Sequence, residues 1–186
     1  MSLRSNLTPW NVLSSKIVHA TPWIEIVEDR CMADQQELTY TFSRRVDEGP
    51  VIIAEEADGK LWLVRQYRHP IKKIVWQFPG EGKLPNETWE QAASRGLHEE
   101  LQRSAQQWTD LGQFFVDPGG SSQKYYAYLA TGLSATSPHP GHATTDEVEN
   151  LETAAFTRAE IEKLIDSGDI CDNWTLSSLF LYDRLK

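Results

Sequence analysis

The sequence predicts an α+β domain preceded by a short antiparallel β extension, and three observations carry that prediction. Apolar and polar residues alternate over residues 14–46, which is the pattern of half-buried strands. The run VIIA at 51–54 is apolar throughout, as expected of a strand buried on both faces. An amphipathic helix follows Thr88, with strands on either side of it. Strands mixed with helices that do not alternate regularly are typical of the α+β class.

The N-terminal extension, residues 1–48, divides into three segments with strand character. Turn signals at Thr21 and Asp34 separate these segments, and Gly49 marks the start of the second domain, residues 49–186. We therefore expect three strands in antiparallel succession, followed by one larger domain.

The second domain contains several further predicted elements. Turn residues centred on Asp58 predict a hairpin between the apolar strand and the next one, KLWLVRQYR. Two more strands, LGQFFVD and KYYAYLATGL, and a short one, LETAAF, come later. A helix that ends at Gly168 precedes a last helix from Trp174 to Leu185. The side chains of the last helix that we expect to face the core are Leu176, Leu179, Phe180 and Leu185.

Composition and charge exclude several classes of protein. The formal net charge of -9 argues against a nucleic-acid partner, because nucleic-acid binding requires basic residues opposite the phosphates. No apolar run reaches the roughly 20 residues that a membrane-spanning helix needs, so no membrane partner is expected. Cys31 and Cys171 have no metal-ligand spacing and indicate no disulfide framework. The N-terminus lacks the apolar segment of a signal peptide, and a cytoplasmic location is expected.

Residues 79–105, PGEGKLPNETWEQAASRGLHEELQRSA, carry the most informative chemistry. A glycine-rich turn comes first, and Thr88 with Gln91 three residues later forms a capping-box signal. Glu99 and Glu100 stand near the far end of the helix that follows. Paired carboxylates on a rigid helix suit a hard divalent cation, and Mg²⁺ in turn recruits phosphate oxygens.

The same stretch resembles the Nudix box, Gly-x5-Glu-x7-Arg-Glu-U-x-Glu-Glu-x-Gly-U, in which U is apolar. The matching positions are Glu87, Arg95, Leu97, Glu99 and Glu100. The surrounding segments, from LVRQYRHP through WQFPGEG and DPGGSSQ to SGDICDNWTLSSLFL, are in the order found in similar proteins. These are Nudix hydrolases of the ADP-ribose pyrophosphatase or nucleoside-diphosphate-sugar type. The resemblance implies a Nudix α/β/α sandwich with a mixed sheet.

The resemblance also implies an activity and an assembly. The expected enzyme is a pyrophosphohydrolase dependent on Mg²⁺ (or Mn²⁺) that cleaves ADP-ribose or a related nucleoside diphosphate sugar to a nucleoside monophosphate and a sugar phosphate. A homodimer is expected, in which each N-terminal extension helps to complete the partner's substrate pocket. Glu99 and Glu100 would serve in metal binding and catalysis, with the carbonyl of Gly80 as a further metal ligand. Glu87 and Arg95 would have structural roles within the motif.

Four positions depart from the box. Glu81 replaces the first Gly, Gly96 replaces the Glu after the Arg, Gln102 replaces the final Gly, and Arg103 replaces the apolar residue beyond it. Gly96 is the consequential change, because the Glu at this position is usually a metal ligand in the family. One interpretation is that the site has decayed. The other is that Glu81, beside Gly80, supplies the missing carboxylate as a metal ligand.

Several candidate residues lie outside the box. Gln123 stands where relatives often carry an acidic residue, so the resemblance places the general base in a later acidic loop, at Glu149 or secondly at Glu147. The resemblance also implies that Arg68 contacts the diphosphate or the sugar, and a guanidinium can bind phosphate oxygens with two hydrogen bonds. Each of these charges has the alternative of being an ordinary solvated side chain. Two further substrate-binding candidates follow the third strand, Arg44 and Arg45.

Two other functions stay open. Gly96 and Gln123 favour a Nudix-fold nucleotide-binding or regulatory protein whose catalysis is impaired. The second alternative is a Nudix enzyme that acts on another nucleoside polyphosphate, such as a dinucleoside polyphosphate or a nucleoside triphosphate. The long N-terminal extension and the RQYR segment argue against this second alternative.

Overall fold

A computed structural model describes residues 8–46, 48–137 and 151–186. The described chain divides into two compact units: the first is the chain up to Val46 together with Asp117–Gln123, and the second is the remainder. The elements in chain order are β1 (Asn11–Ala20), β2 (Ile24–Ala33), β3 (Gln36–Arg45), β4 (Gly49–Ala54), β5 (Leu61–Arg68), β6 (Lys73–Gln77), α1 (Trp89–Leu101), β7 (Arg103–Ser104), β8 (Gln107–Phe115), β9 (Lys124–Thr131), β10 (Ser134–Ala135), β11 (Glu152–Phe156), α2 (Arg158–Ser167) and α3 (Asn173–Asp183).

The first unit is an antiparallel sheet of three strands in the order β1-β2-β3, as the alternation of apolar and polar residues predicted. Asp34 and Gln35 both have positive φ, which is the geometry of a tight two-residue hairpin turn. Every residue of β1 is exposed. The buried apolar side chains that this sheet supplies among the described residues are Val27 and Cys31 on β2.

The second unit contains a mixed arrangement of strands. β4 pairs with β9 in parallel, and β9 pairs with β8 in antiparallel orientation. A further sheet has the order β11-β5-β6, with both pairings antiparallel. The short strands β7 and β10 pair with each other beyond the end of α1. No helix among the described residues is long and apolar enough to cross a membrane.

β4 is completely buried, as the apolar run predicted, because its two faces pack against different helices. Val51 and Ile53 belong to a core cluster with Leu179 and Tyr182 of α3. Ile52 and Ala54 belong to a second cluster, which includes Ala93 and Leu97 of α1. The strands therefore lie between helices on both sides, and the predicted α/β/α sandwich with a mixed sheet is confirmed.

The predicted hairpin around Asp58 is wrong, although the turn itself is present. The chain does reverse there, since the amide of Gly59 donates to the carbonyl of Glu56 at 2.9 Å. β4 and β5 are then joined by a bridge between Glu55 and Leu61 and enter different sheets. The local turn signal could not reveal that β4 pairs with β9 and β5 with β11, which come from distant parts of the chain.

The predicted inward face of the last helix is also wrong, apart from Leu179. Leu176, Phe180 and Leu185 are exposed, with 64% of Phe180 accessible to solvent. The side chains of α3 that are buried instead are Thr175, Ser178, Leu179 and Tyr182. Because α3 carries apolar residues all round, its sequence does not distinguish the buried side, which includes the small hydroxyl residues Thr175 and Ser178.

Candidate metal and substrate site

The site is built on α1, whose start is determined by a capping box. The Thr88 hydroxyl accepts the amide of Gln91 at 3.1 Å, and the Gln91 side chain accepts the amide of Thr88 at 2.8 Å. The face of α1 that packs on the sheet includes Ala93 and Leu97. Glu99 lies off that face and is half-buried. The helix therefore presents its last-turn carboxylates beside the preceding loop instead of to the core.

Gly96 is buried against the side chain of Glu81. A Cβ built on Gly96 would lie 2.7 Å from the Cβ of Glu81 and 3.1 Å from the Cδ1 of Ile52. Real Cβ atoms do not approach this closely, so a larger residue at position 96 requires Glu81 to move. The side chain of Glu81 thus lies along α1 at the position where the Nudix box carries its own carboxylate.

Arg95 ties the loop to the helix. Its guanidinium donates to both carboxylate oxygens of Glu87, with Nε to Oε1 at 2.8 Å and Nη2 to Oε2 at 3.0 Å. Nη2 also donates to the carbonyl of Gly82 at 2.6 Å. The remaining nitrogen, Nη1, lies 3.5 Å from Glu81 Oε1 and 3.4 Å from Glu99 Oε2. These contacts connect the loop to the helix, and the structural roles of Glu87 and Arg95 stay a prediction.

The two loop glutamates around Arg95 have opposite electrostatic surroundings. The hydrogen bonds from Arg95 lower the pKa of Glu87 to about 2. Burial raises the pKa of Glu81, and the neighbouring carboxyl of Glu99 raises it further, although Arg95 acts in the opposite direction. The charge of one carboxylate is therefore neutralised within the protein, whereas the carboxyl of Glu81 lies close enough to Glu99 for a hydrogen bond between them, and the two would repel each other if both were ionised.

The backbone of Gly80 is connected to the carboxylates of α1 by a hydrogen bond to Glu100. The amide of Gly80 donates to Glu100 Oε1 at 3.0 Å. The structure thus brings together all four predicted metal-site residues, whose donors are carboxylate and carbonyl oxygens. No three acidic, histidine or cysteine side chains in residues 8–46, 48–137 and 151–186 already surround a common point as ligands. The donor chemistry nevertheless fits a hard divalent cation, because excess carboxylate oxygens are what such an ion neutralises.

The predicted substrate-binding arginines have different surroundings. Arg68 is half-buried at the end of β5, and its Nε donates to the side-chain oxygen of the buried Gln77 at 2.5 Å. Arg44 is exposed on β3 and forms an ion pair with Glu25 at 2.5 Å. Arg45 ends the same strand. Arg44 and Arg45 belong to the first unit and Arg68 to the second. The two candidates for the general base, Glu147 and Glu149, lie outside the described residues.

Two features near these residues have no signal in the sequence. One is the start of α3, where Trp174 and Thr175 contact the backbone of Phe78. The other is a cavity of about 470 Å³ on the outer side of α1, a volume within the usual range of small-molecule sites. A turn signal and a helix prediction alone cannot locate either of them. The cavity is lined by Gln91, Ser94, Arg95, His98, Glu99, Arg103 and Ser104.

The fold and this site, formed by the loop and α1, define a member of the NUDIX domain family. The family model matches residues 47–170 of the chain. The chain belongs to that family, and the resemblance inferred from the box is confirmed. It is 30% identical over 136 residues to an ADP-ribose pyrophosphatase of Bacillus subtilis (strain 168), covering 73% of this chain and 71% of the relative.

Two other relatives are similar in extent. An ADP-ribose pyrophosphatase of Mycobacterium tuberculosis (strain ATCC 25618 / H37Rv) is 27% identical over 133 residues, which is 69% of this chain and 61% of the relative. A methanol dehydrogenase activator of Bacillus methanolicus is 31% identical over 139 residues, with 73% of each chain covered. The crystal structure of an ADP compounds hydrolase has a TM-score of 0.81 and 22% identity, covering 98% of this chain and 96% of that one. This last likeness establishes the shared fold.

Proposed function

We propose that this chain is a metal-dependent hydrolase that cleaves ADP-ribose or a related nucleoside diphosphate sugar to a nucleoside monophosphate and a sugar phosphate. Membership of the NUDIX family and the similarity to two ADP-ribose pyrophosphatases support this function. The observation that carries it is the meeting of the Gly80 loop with the carboxylates of α1, through the hydrogen bond from Gly80 to Glu100. Both cysteines are free thiols, which agrees with the cytoplasmic location that we propose.

The proposed metal ligands are oxygen donors of the loop and the helix. They are the carbonyl of Gly80 and the carboxylates of Glu81, Glu99 and Glu100. When bound, Mg²⁺ or Mn²⁺ would neutralise the diphosphate and lower the pKa of the attacking water. Glu149, with Glu147 as the second candidate, is proposed to accept the proton from that water at its carboxylate.

Glu81 is proposed to replace the carboxylate that Gly96 lacks. The close fit of the Glu81 side chain against Gly96 supports an exchange of ligand position between the loop and the helix. The closeness of the Glu81 and Glu99 carboxyls supports it as well, since a cation between them would neutralise both groups.

A substrate panel tests the activity. Purified protein is incubated with ADP-ribose, nucleoside diphosphate sugars, triphosphates and dinucleoside polyphosphates, with Mg²⁺ and with EDTA. We expect Mg²⁺-dependent release of AMP from ADP-ribose and loss of that release in Glu100→Gln. Calorimetric binding of ADP-ribose with no release of AMP would support the nucleotide-binding alternative. Faster hydrolysis of triphosphates or polyphosphates would support the other one.

Arg68, Arg44 and Arg45 are the proposed substrate contacts. Arg68 is supported by its half-buried position at the end of β5, because a guanidinium can bind phosphate oxygens with two hydrogen bonds. Arg68→Lys should raise the KM for ADP-ribose about tenfold with a smaller effect on kcat, since a lysine cannot form the paired hydrogen bonds. An unchanged KM would remove Arg68 from the substrate site.

A homodimer is proposed on the exposure of the first unit. All of β1 is exposed, and large apolar side chains on and beside it are open to solvent, with 63% of Trp23 accessible. Such a concentration of apolar surface is typical of a protein–protein interface. In this proposal residues 1–48 serve dimerisation and pocket completion, and residues 49–186 form the Nudix domain. The other exposed apolar residues include Trp10, Val12, Leu13, Ile17 and Val18.

Light scattering after size-exclusion chromatography tests the dimer. Wild type should have twice the mass of one chain, and Ile17→Lys should have the mass of one chain with reduced activity on ADP-ribose. Lys16→Gln is the matched control, because it removes a neighbouring exposed charge and its surface ion pair with Glu28 without placing a charge on the apolar surface. A wild-type protein with the mass of one chain at micromolar concentration would contradict the proposal.

A further inference from the structure

The first turn of α3 forms hydrogen bonds with the backbone of Phe78, the residue immediately before the loop of the site. The amide of Phe78 donates to the hydroxyl of Thr175 at 3.2 Å, and the carbonyl of Phe78 accepts the indole N–H of Trp174 at 3.0 Å. Thr175 is fully buried. Asp172, which caps the helix, accepts hydrogen bonds from both the amide and the hydroxyl of Thr175. Both backbone polar groups of Phe78 are therefore bound by side chains of one helical turn.

The indole of Trp174 also lies directly on Gly80. A Cβ built on Gly80 would lie 2.0 Å from the Cζ2 of Trp174 and 2.6 Å from its Cη2. The ring of Tyr125 meets the same indole edge-to-face, with 4.4 Å between the ring centroids. The indole thus fills the space between β9 and the loop, and the loop can approach it this closely only because residue 80 has no side chain.

Two further hydrogen bonds connect this backbone to β4 and α1. The carbonyl of Pro79 accepts the amide of Ile52 at 2.8 Å, and the amide of Gly80 donates to Glu100 at 3.0 Å. A displacement of Phe78 would therefore move the Gly80 carbonyl and the partner that orients the Glu100 carboxylate. Both of these groups belong to the proposed metal site.

We propose that Trp174 and Thr175 are positioning residues that set the place of the Gly80 carbonyl and the Glu100 carboxylate, and through them metal affinity and turnover. Neither side chain touches the substrate in this role. The part of the proposal that concerns metal and turnover rests on the proposed function, whereas the part that concerns the loop is measurable without it.

A pair of variants at residue 175 separates positioning from packing. Thr175→Val keeps the side-chain shape and removes the hydroxyl that binds Phe78. Thr175→Ser keeps the hydroxyl and removes a buried methyl group. A positioning role predicts that the valine variant loses function and the serine variant retains it, whereas a packing role predicts that the serine variant is impaired as much as the valine variant.

A second pair compares two tryptophans. Trp174→Phe removes the indole N–H that binds Phe78. Trp62→Phe is the control, because Trp62 also donates its indole N–H, to Glu56 at 2.8 Å, and lies on β5 outside the proposed machinery. Both variants lose one hydrogen bond and a similar volume, so both should lower the melting temperature to a similar extent.

The loop itself is followed by hydrogen exchange of the peptide that contains residues 78–82, in the full-length protein without added metal. Thr175→Val and Trp174→Phe should exchange about fivefold to tenfold faster than wild type, as expected for the loss of one hydrogen bond. Thr175→Ser and Trp62→Phe should exchange as wild type does. Equal exchange in all five proteins would overturn the proposal.

Metal and substrate measurements complete the test. Paramagnetic resonance titration of Mn²⁺ should show about fivefold to tenfold weaker binding in Thr175→Val and Trp174→Phe, with kcat for ADP-ribose lowered alongside and KM little changed. If wild type releases no AMP, the proposed function fails, while the exchange comparison still decides the positioning role. Wild-type Mn²⁺ affinity in both variants despite faster exchange would overturn the link to the site.

Discussion

Glu87 and Glu81 lie on the same loop and contact the same arginine, yet their carboxyls are in opposite situations. Glu87 receives two hydrogen bonds from Arg95 and one from the amide of Leu84, and its pKa falls to about 2. Glu81 accepts a hydrogen bond from the amide of Gly82 at 2.8 Å and lies 3.5 Å from Nη1 of Arg95, and burial together with the nearby Glu99 carboxyl raises its pKa. A carboxylate whose charge the protein satisfies belongs to the scaffold, whereas one held beside another carboxyl is available for a cation.

The strongest test of this comparison removes the charge of Glu81. Glu81→Gln keeps the side-chain shape, and we expect kcat for ADP-ribose to fall by about 10²-fold because an electrostatic partner of the reacting centre is lost. Mn²⁺ affinity should fall in parallel, while the melting temperature stays level or rises, since a half-buried carboxyl beside Glu99 is removed. Kinetics, Mn²⁺ titration and calorimetry measure the three quantities. Wild-type turnover and affinity would show that Glu81 is no ligand.

Glu87→Gln should have the opposite profile. The amide cannot accept both charged hydrogen bonds from Arg95, so we expect a loss of about 1–2 kcal/mol in the free energy of unfolding. Mn²⁺ affinity should change less than in Glu81→Gln. Urea unfolding and Mn²⁺ titration of the two variants, side by side, provide the comparison. A larger loss of metal affinity than in Glu81→Gln would reverse the assignment of the two carboxylates.

A double-mutant cycle examines the contact between Glu81 and Gly96. Gly96→Ala should destabilise the wild-type chain by about 1 kcal/mol, because the crowding against Glu81 exceeds the roughly 1 kcal/mol that alanine gains in a helix. In the Glu81→Gly background the same change should stabilise the protein. The two effects therefore differ in sign, and urea unfolding of the four proteins measures the coupling. Additive effects would mean that the two side chains do not share this space.

The smallest expected effect is a pH dependence. The folded-state pKa of Glu87, about 2, lies below its ordinary value of 4.5, so its contribution to stability is complete above pH 4.5 and disappears as the pH falls towards 2. The stability difference between wild type and Glu87→Gln should shrink over this window. Urea unfolding at pH 7, 4.5 and 3 checks this trend. A difference that grows on acidification would contradict the ion pair with Arg95.

Local signals in the sequence were sufficient for much of the fold. The capping box at Thr88, the end of α2 at Gly168 and the buried strand β4 each depend on a few neighbouring residues, and the structure contains them. The face of α3 was not predictable in this way, because its apolar residues surround the helix and only the tertiary packing selects Thr175.

The candidate site shows the same contrast between residues that a local signal predicts and residues that only tertiary packing brings together. The motif located Glu99 and Glu100 because their spacing within the box is a local property. It also suggested the relation between Glu81 and Gly96, whose side-by-side placement the structure then supplied. The contacts from α3 were not predictable, because Thr175 and Phe78 are 97 residues apart in the chain. No feature of the sequence between them indicates that they are neighbours in the fold.

The parallel pairing of β4 with β9 has a consequence for protein synthesis. β5, β6 and α1 all emerge from the ribosome between these two strands. A long-range pairing of this kind forms late, because the chain between the partners must first be closed into a loop. Until then the apolar run of β4 can associate with other nascent chains. The most deeply buried strand of the finished protein is therefore the first segment to examine when overexpression yields inclusion bodies.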